Sequence, residues 1–392
     1  MRISGLASLA TAVTLTTGLL ALPPAVADPG PGAREGARAE GSAILLRADP
    51  RSPVSAAEVP VTDATDGPRR TSPYSMLGLT WRGTDPTTLR FRSHGRDGWS
   101  SWRTAEVLED GPTPGTEGNP RRATQPVWVG PSNGVQLDVR GSGHRGLRLV
   151  LIDPGVLATD DDDVAAPGAG AKQPAMRTAA RKPRTRPKSS PQPRLLTRPQ
   201  WGADERLRNG RPTYNTGLRQ VHVHHTASGN DYTRADVPAI LRGMYRYHTK
   251  SLGWFDLGYN FVVDRFGRTW VGRSGGPTRL VRGAHTLGFN HSSVGIAVLG
   301  NFERTRPSRR AVTAVVRLAA WKLDRHHRDA SGRVAVRSEG SDRYRAGKRV
   351  RLFVVDGHRD TNQTACPGEL LYDRLPGIRR RAQWRVDHYG RG

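Results

Sequence analysis

Residues 221–228 read VHVHHTAS and combine a strand pattern with a cluster of imidazoles. Apolar valines alternate with histidines, which is typical of a β-strand whose successive side chains point to opposite faces of a sheet. Because neighbouring residues of a regular strand face opposite sides, His224 and His225 are not both expected to reach one common site. Spacing alone leaves each of them as a candidate ligand.

A second stretch, residues 357–368, reads GHRDTNQTACPG and follows the apolar run RLFVVD. It carries His358 and Cys366, the only cysteine in the chain. A catalytic zinc site needs about three protein ligands and one open position, and imidazole and thiolate both suit this cation. Together with an imidazole from residues 221–228, the loop therefore predicts a zinc site.

The N-terminus indicates export. Residues 1–27 have a basic start, an apolar run and a closing Ala-Val-Ala, which is the order of a secretory signal peptide. No later segment is apolar enough to cross a bilayer, so we predict a mature protein without a transmembrane segment, secreted and either extracellular or associated with the cell wall. Cysteines usually pair in that compartment. Since Cys366 has no partner in its own chain, three interpretations stay open: an intermolecular bridge, a buried residue without a chemical role, or a metal ligand or nucleophile.

Composition divides the rest of the chain into four parts. Strand-length apolar runs separated by turn residues predict an all-β domain, which precedes an α/β domain. An Asp run, expected to be solvated, opens the predicted disordered linker, and an Arg/Lys/Pro-rich stretch follows it. The predicted parts are a low-complexity N-terminal segment (28–71), a β-rich domain (72–155), the linker (156–194) and the α/β domain (195–392).

The α/β domain has recognisable elements. Thr233 and Asp236 form the sequence pattern of a helix capping box, and apolar residues follow at helical spacing. The predicted elements are a strand (219–225), a helix (233–248), a hairpin (259–264 and 268–272), a strand (294–302) and a helix (307–327).

The chain is strongly basic, with a formal net charge of +26. Such an excess favours an anionic partner. For an exported protein we expect anionic polymers of the cell wall, bound through the basic linker. A specific nucleic-acid partner is not expected, because aromatic residues are not interleaved with the basic stretch as stacking recognition requires.

Several blocks of the last half of the chain occur in a fixed order. Together they resemble the peptidoglycan recognition protein family of zinc N-acetylmuramoyl-L-alanine amidases, which is shared with phage amidase-type lysozymes. The β-rich region is similar to the N-terminal part of secreted bacterial amidases of this type. The blocks are RPQWGADE (198–205), VHVHHTAS (221–228), GWFDLGYNFVVDRFG (253–267), GAHTLGFNHSSVGIAVLGNF (283–302) and GHRDTNQTACPG (357–368).

The resemblance implies a fold and a Zn²⁺ site. The fold would be the mixed-sheet α/β catalytic domain of this family. The first histidine of the HHT block is a zinc ligand in the family, which selects His224. The histidine of GHRD and the cysteine of ACPG are the other two ligands, which here are His358 and Cys366.

The resemblance also implies residues around the metal. The tyrosine of GYNF lies beside the metal in catalytic members, which places Tyr259 there. Some relatives have a lysine two residues before the cysteine ligand, where this chain has Thr364, a second candidate catalytic residue. His285 and Asn290 are candidate substrate-binding residues.

The implied function is zinc-dependent hydrolysis of the amide bond between N-acetylmuramic acid and L-alanine in peptidoglycan. Two alternatives use the same region of the sequence. One is a non-catalytic peptidoglycan-binding protein of the same fold, and the other is a zinc peptidase that acts within the stem peptide. The complete set of His224, His358 and Cys366, with Tyr259, favours the amidase over the binding protein.

Overall fold

The fold is given by a computed structural model that describes residues 43–61, 67–119, 121–160 and 189–390. The predicted signal peptide lies outside these residues, as does the linker from 161 to 188. The described residues all belong to one compact unit, Ser42–Gly392. Among the described helices, none combines the length and apolar character needed to cross a membrane.

The N-terminal half is an antiparallel sheet, as the all-β prediction requires. Its nine strands in the described residues run in the order β1-β2-β9-β3-β8-β4-β5, with β6 on β4 and β7 on β3. Buried aliphatic and aromatic side chains such as Leu79, Trp81 and Phe91 form its core. The strands are β1 Arg47–Ala48, β2 Ser55–Pro60, β3 Arg69–Gly83, β4 Thr88–Gly95, β5 Gly98–Trp99, β6 Arg103–Thr104, β7 Arg122–Ala123, β8 Val127–Arg140 and β9 His144–Asp153.

The C-terminal half is a mixed sheet with helices, which confirms the predicted fold class. Within the described residues its strand order is β10-β13-β12-β14-β11-β17, and a separate pair, β15 and β16, forms a hairpin. These strands are β10 Leu195–Leu196, β11 Gln220–His225, β12 Phe261–Val263, β13 Thr269–Val271, β14 Ser293–Val298, β15 Arg333–Arg337, β16 Arg349–Phe353 and β17 Val355–Gly357.

Four helices flank the mixed sheet in the described residues. Helices α2 and α4 cover one face, where their apolar side chains pack on those of β11, β12 and β14. Helix α1 follows β11 and continues into a π-helical turn, Tyr247–Ser251. The helices are α1 Asp236–Arg246, α2 Arg309–Asp324, α3 Glu369–Tyr372 and α4 Leu375–Gly390.

The predicted capping box at the start of α1 is present. The Thr233 backbone amide and hydroxyl both donate to Asp236 Oδ2, at 2.7 and 2.8 Å, and the Asp236 amide donates to the Thr233 hydroxyl at 3.3 Å. These bonds satisfy backbone donors that a helix start leaves without intrahelical partners. The predicted reciprocal bonds therefore form, and α1 itself begins at Asp236, three residues after the predicted start.

Strands β1 and β2 and the start of β3 lie inside the segment 28–71 predicted to be of low complexity, where β1 pairs with β2 and β2 pairs with β9. Of the Asp run predicted to be solvated, only Asp160 lies within the described residues, and it is buried. Its carboxylate accepts two bonds from the Arg242 guanidinium of α1, at 2.8 and 2.6 Å, and this pairing offsets the cost of burying both charges.

One apolar core is common to both halves. Met76 and Ile152 of the antiparallel sheet belong to the same buried cluster as Trp201, Ile240 and Met244 of the α/β half. Helix α1 is therefore covered on the side that its own sheet leaves free.

Candidate metal centre

The structure brings three of the predicted residues together at one edge of the mixed sheet. Strand β11 pairs in parallel with β17, with Val223 opposite Gly357. His224 and His358 therefore stand next to each other at the carboxyl ends of neighbouring strands. The loop after His358 returns Cys366 to the same place, and ligand atoms of the three residues all lie within 4.8 Å of one another.

The two neighbouring histidines of β11 point elsewhere. His222 Nδ1 lies 2.5 Å from a carboxylate oxygen of Asp356, which is buried beside it. His225 Nδ1 accepts a bond from the Phe302 amide at 3.4 Å. Alternation places His225 on the opposite face of the strand, and His222, on the same face as His224, lies two residues back beside Asp356. His224 is therefore the one that meets His358 and Cys366.

His224 is oriented by a second imidazole. Its Nε2 lies 3.1 Å from His285 Nδ1, within hydrogen-bond distance. Its Nδ1 therefore faces the site, where it lies 3.7 Å from Cys366 Sγ. A metal-binding histidine is commonly held in this way by a partner on its other nitrogen.

The chemistry of the three side chains fits a zinc ion. All three are buried, and neither ring nitrogen of His358 has a hydrogen-bond partner among the described residues. Burial lowers the pKa of His358 to about 3 and that of His224 well below its usual value, so both imidazoles are neutral, as ligation requires. Burial also raises the pKa of the Cys366 thiol well above its usual value, so a thiolate there needs an adjacent cation.

Tyr259 and Thr364 occupy different positions around this centre. The Tyr259 ring lies 5.5 Å from that of His224, and its hydroxyl donates to a carboxylate beside the imidazoles. The Thr364 hydroxyl accepts a bond from the Cys366 amide at 3.2 Å, so it helps to shape the loop that presents the thiol. A catalytic role for either residue stays a prediction.

His285 and Asn290 are fully buried rather than exposed along a groove. Asn290 Oδ1 accepts bonds from the amides of His285 and Thr286, at 2.9 and 3.1 Å. Its Nδ2 donates to the Gly111 carbonyl at 2.8 Å. In this structure the two residues therefore support His224 and its surroundings, and their role in substrate binding stays a prediction.

A segment of the antiparallel half covers the centre. This cover segment, residues 106–119, connects β6 to β7 and brings Asp110 into the site. Asp110 Oδ1 lies 3.3 Å from His224 Nδ1 and 3.1 Å from His358 Nδ1. Its Oδ2 accepts bonds from the Tyr259 hydroxyl and, at 3.3 Å, from the side-chain amide of Gln125.

Asp110 is the residue of this site that sequence reasoning missed. It lies in a stretch rich in Gly, Pro and acidic residues, which reads as an ordinary turn between strands. Its contacts with His224, Tyr259 and His358 are with residues more than a hundred positions away, and local pattern carries no information about them. Burial raises the pKa of this carboxyl above its usual value, while the adjacent His358 acts in the opposite direction.

Comparison with known proteins finds a family model that matches each half of the chain. Residues 214–369 match the N-acetylmuramoyl-L-alanine amidase family, and residues 42–187 match the family described as Rv3811 N-terminal galactose-binding domain-like. The chain therefore has an amidase-like domain preceded by a galactose-binding-like domain.

Individual relatives resemble the C-terminal half. A human N-acetylmuramoyl-L-alanine amidase is 34% identical over 188 residues, which are 47% of this chain and 28% of that protein. Peptidoglycan-recognition protein SC2 of Drosophila melanogaster is 28% identical over 46% of this chain and 84% of its own length. Among solved structures, Drosophila PGRP-LB is 28% identical over 46% of this chain and 92% of its own, with a TM-score of 0.37.

Proposed function

We propose that this protein is a zinc-dependent N-acetylmuramoyl-L-alanine amidase. The buried cluster of His224, His358 and Cys366 carries the proposal, because it supplies the donor set of a catalytic zinc site inside an amidase-family domain. Relatives of this family include binding proteins as well as amidases. The complete ligand set, with a tyrosine hydroxyl beside it, favours hydrolysis over binding alone.

The three ligand residues, His285 and Tyr259 would each have a separate part in the reaction. His224, His358 and Cys366 would hold the ion, which when bound polarises a carbonyl and lowers the pKa of a water. His285 holds His224 with Nδ1 towards the ion. The Tyr259 hydroxyl, which here donates to Asp110, would in the reaction donate to the oxyanion that develops on the amide carbonyl.

The setting is part of the same proposal. We propose that the protein is secreted, as the sequence of residues 1–27 indicates, and acts on peptidoglycan. The net charge of +26 supports association with anionic wall polymers. The linker, residues 156–194, contributes eight Lys or Arg residues and four Asp residues, so most of the positive excess lies outside it.

The test is digestion of purified peptidoglycan with and without a chelator, followed by mass spectrometry of the products. An amidase releases stem peptides that begin with a free L-Ala amine, whereas a peptidase cuts within the stem. Because the cover segment lies over the centre, the assay includes Asp110→Ala beside the unaltered chain. Peptidoglycan binding without release by either protein would leave a binding protein as the function.

Two substitutions assign the roles. Cys366→Ser should remove most of the bound zinc and the activity, because it replaces a thiolate ligand. Tyr259→Phe should keep the zinc but lower turnover by about 100-fold, the cost typical of losing one oxyanion donor. A Tyr259→Phe enzyme with unchanged turnover would exclude the tyrosine from the reaction.

A further inference from the structure

We propose that Asp110 is a fourth ligand of the metal and that the cover segment thereby holds the enzyme in a closed, latent form. This inference rests on the proposed zinc site and assigns a regulation to it. The carboxylate comes from the galactose-binding-like half, so the first half of the chain would control the chemistry of the second.

The first observation is the spacing of the donor atoms. Ligand bonds of about 2.0–2.3 Å place the atoms of a tetrahedral zinc site about 3.3–3.7 Å apart. Asp110 Oδ1 lies 3.3 Å from His224 Nδ1 and 3.1 Å from His358 Nδ1, and His224 Nδ1 lies 3.7 Å from Cys366 Sγ. Asp110 therefore stands at the separation of a ligand.

The second observation is the hydrogen bonding of the carboxylate. Asp110 Oδ2 has two donors, Tyr259 and Gln125. Oδ1 is buried and makes no hydrogen bond to any described residue, although it faces two imidazoles. A buried carboxylate oxygen without a partner is costly, and a cation shared with His224 and His358 would satisfy it.

The third observation is that the same carboxylate occupies two catalytic positions at once. Oδ1 lies where an open coordination position is needed for water or substrate. Oδ2 takes the Tyr259 hydroxyl that the reaction would use as a donor. With Asp110 in place, His224, His358 and Cys366 are all buried.

The cover segment is fastened by polar contacts along its length. The side-chain amide of Asn301 donates to the Glu106 carboxylate at 2.6 Å, and the side-chain amide of Asn290 donates to the Gly111 carbonyl at 2.8 Å. Near its end, Glu117 forms an ion pair with Arg273 and accepts a bond from the Phe255 amide at 2.5 Å. Gly111 and Gly115 lie between Glu106 and Glu117, and glycine gives the backbone there more conformational freedom than other residues.

The arrangement predicts that release of the segment activates the enzyme. The open fraction of the population limits the activity, so a chain that is closed nine-tenths of the time gains up to about tenfold when it is opened. Glu117 touches no metal ligand. Loss of its charge therefore opens the segment while the three ligands of the α/β half stay in place.

The experiment uses the full chain loaded with Co²⁺, whose visible absorption reports the ligand set. The variants are Asp110→Asn, which keeps the shape of the side chain, and Glu117→Gln. Asp138→Asn is the matched control, since Asp138 is also buried in the antiparallel half but pairs with Arg140. Each protein is assayed for Co²⁺ affinity by chelator competition, for its absorption spectrum, and for release of stem peptides from peptidoglycan.

We expect Asp110→Asn to change the Co²⁺ spectrum and to weaken Co²⁺ binding at least about tenfold. Loss of a residue that only hydrogen-bonds to a metal ligand already lowers metal affinity by about 10-fold or more. Both variants should release stem peptides faster than the unaltered chain, and Asp138→Asn should match it. A Co²⁺ spectrum and affinity unchanged by Asp110→Asn would overturn the ligand assignment.

The other outcomes separate the two proposals. If the unaltered chain digests peptidoglycan as fast as both variants, the closed form is wrong and the amidase stands. If Asp110→Asn alters the spectrum but no variant releases stem peptides, the fourth ligand stands and the hydrolytic function fails. Absence of Co²⁺ binding by the unaltered chain would reject both.

Discussion

At the residue scale, His285 is the clearest case of a side chain that acts through another. It meets His224 Nε2 at 3.1 Å, and its own ring is confined by Gly295, where an added Cβ would lie 2.4 Å from it. His285→Ala removes the partner that orients His224. We therefore expect zinc affinity to fall by about 10–100-fold, as for other outer partners of metal-bound histidines.

Chelator competition measures this affinity, and thermal unfolding shows whether the fold is kept. His94→Ala is a suitable control, because that imidazole contacts Asn133 in the antiparallel sheet. Unchanged zinc affinity in a folded His285→Ala protein would mean that the ligand loop and strand alone orient His224.

Lys322 of α2 gives a prediction about pH. It is fully buried, its ammonium donates to the carbonyls of Pro277 and Arg279, both at 3.0 Å, and burial lowers its pKa from 10.5 to about 8. Between these values the unfolded chain keeps a proton that the folded chain has lost. Stability from this group therefore rises with pH through that window, and below it the folded protein bears the cost of a buried charge.

Lys322→Met removes this dependence. Between pH 7.5 and 10 the unaltered chain should gain about 2–3 kcal/mol of unfolding free energy from Lys322, a gain that the variant lacks. Denaturant unfolding at the two pH values measures the difference, with the exposed Lys348→Met as control. A difference that does not change with pH would show that Lys322 titrates normally.

The residues of the metal centre differ in how far sequence could predict them. His224, His358 and Cys366 lie in ordered motifs, so their meeting in space follows from the pattern of one family. Asp110 belongs to a different half of the chain, and its position depends on how two domains dock. No period or spacing encodes that contact.

At the element scale, α1 shows where periodicity stops being informative. The sequence predicts one apolar stripe, yet almost the entire helix is buried. Arg242 lies on the polar side by pattern but is buried against Asp160 and the carbonyls of Pro154 and Gly155. Helix α4 was not predicted, although Leu375, Ile378, Ala382 and Val386 lie at helical spacing and are buried in the core with α2. The burial of Arg242, in contrast, was decided by partners from elsewhere in the chain.

The π-helical turn after α1 supplies a test of this docking. The Tyr247 hydroxyl, fully buried, donates to the carbonyls of Leu79 and Thr124 in the antiparallel half, at 3.0 and 3.1 Å. Tyr247→Phe removes this donor, although the Leu79 carbonyl keeps the bond from the Thr124 backbone amide, and should lower the free energy of unfolding by about 1–3 kcal/mol. Denaturant unfolding measures it, and Tyr214→Phe, at a more exposed tyrosine, should have little effect. Equal losses in both variants would speak against a specific role for this contact.

At the scale of the whole molecule, the two halves share their interior. Met76, Trp128 and Ile152 of the antiparallel sheet lie in one buried cluster with Ile240 and Met244 of α1. Separation of the halves would expose this apolar surface to water, which opposes independent domains joined by a loose connection. The sequence predicted two domains and a linker but contained no signal for this common core.

A shared core predicts that the described residues unfold together. Differential scanning calorimetry of the full chain should show one cooperative transition rather than two, because loss of either half exposes the interior of the other. As a second measurement, a protease site introduced within residues 161–188 allows the covalent connection to be cut. The two fragments should still elute as one species in size-exclusion chromatography. Two separate transitions, or fragments that part after cleavage, would mean that the apolar contact between the halves is too weak to hold Asp110 over the metal centre by itself.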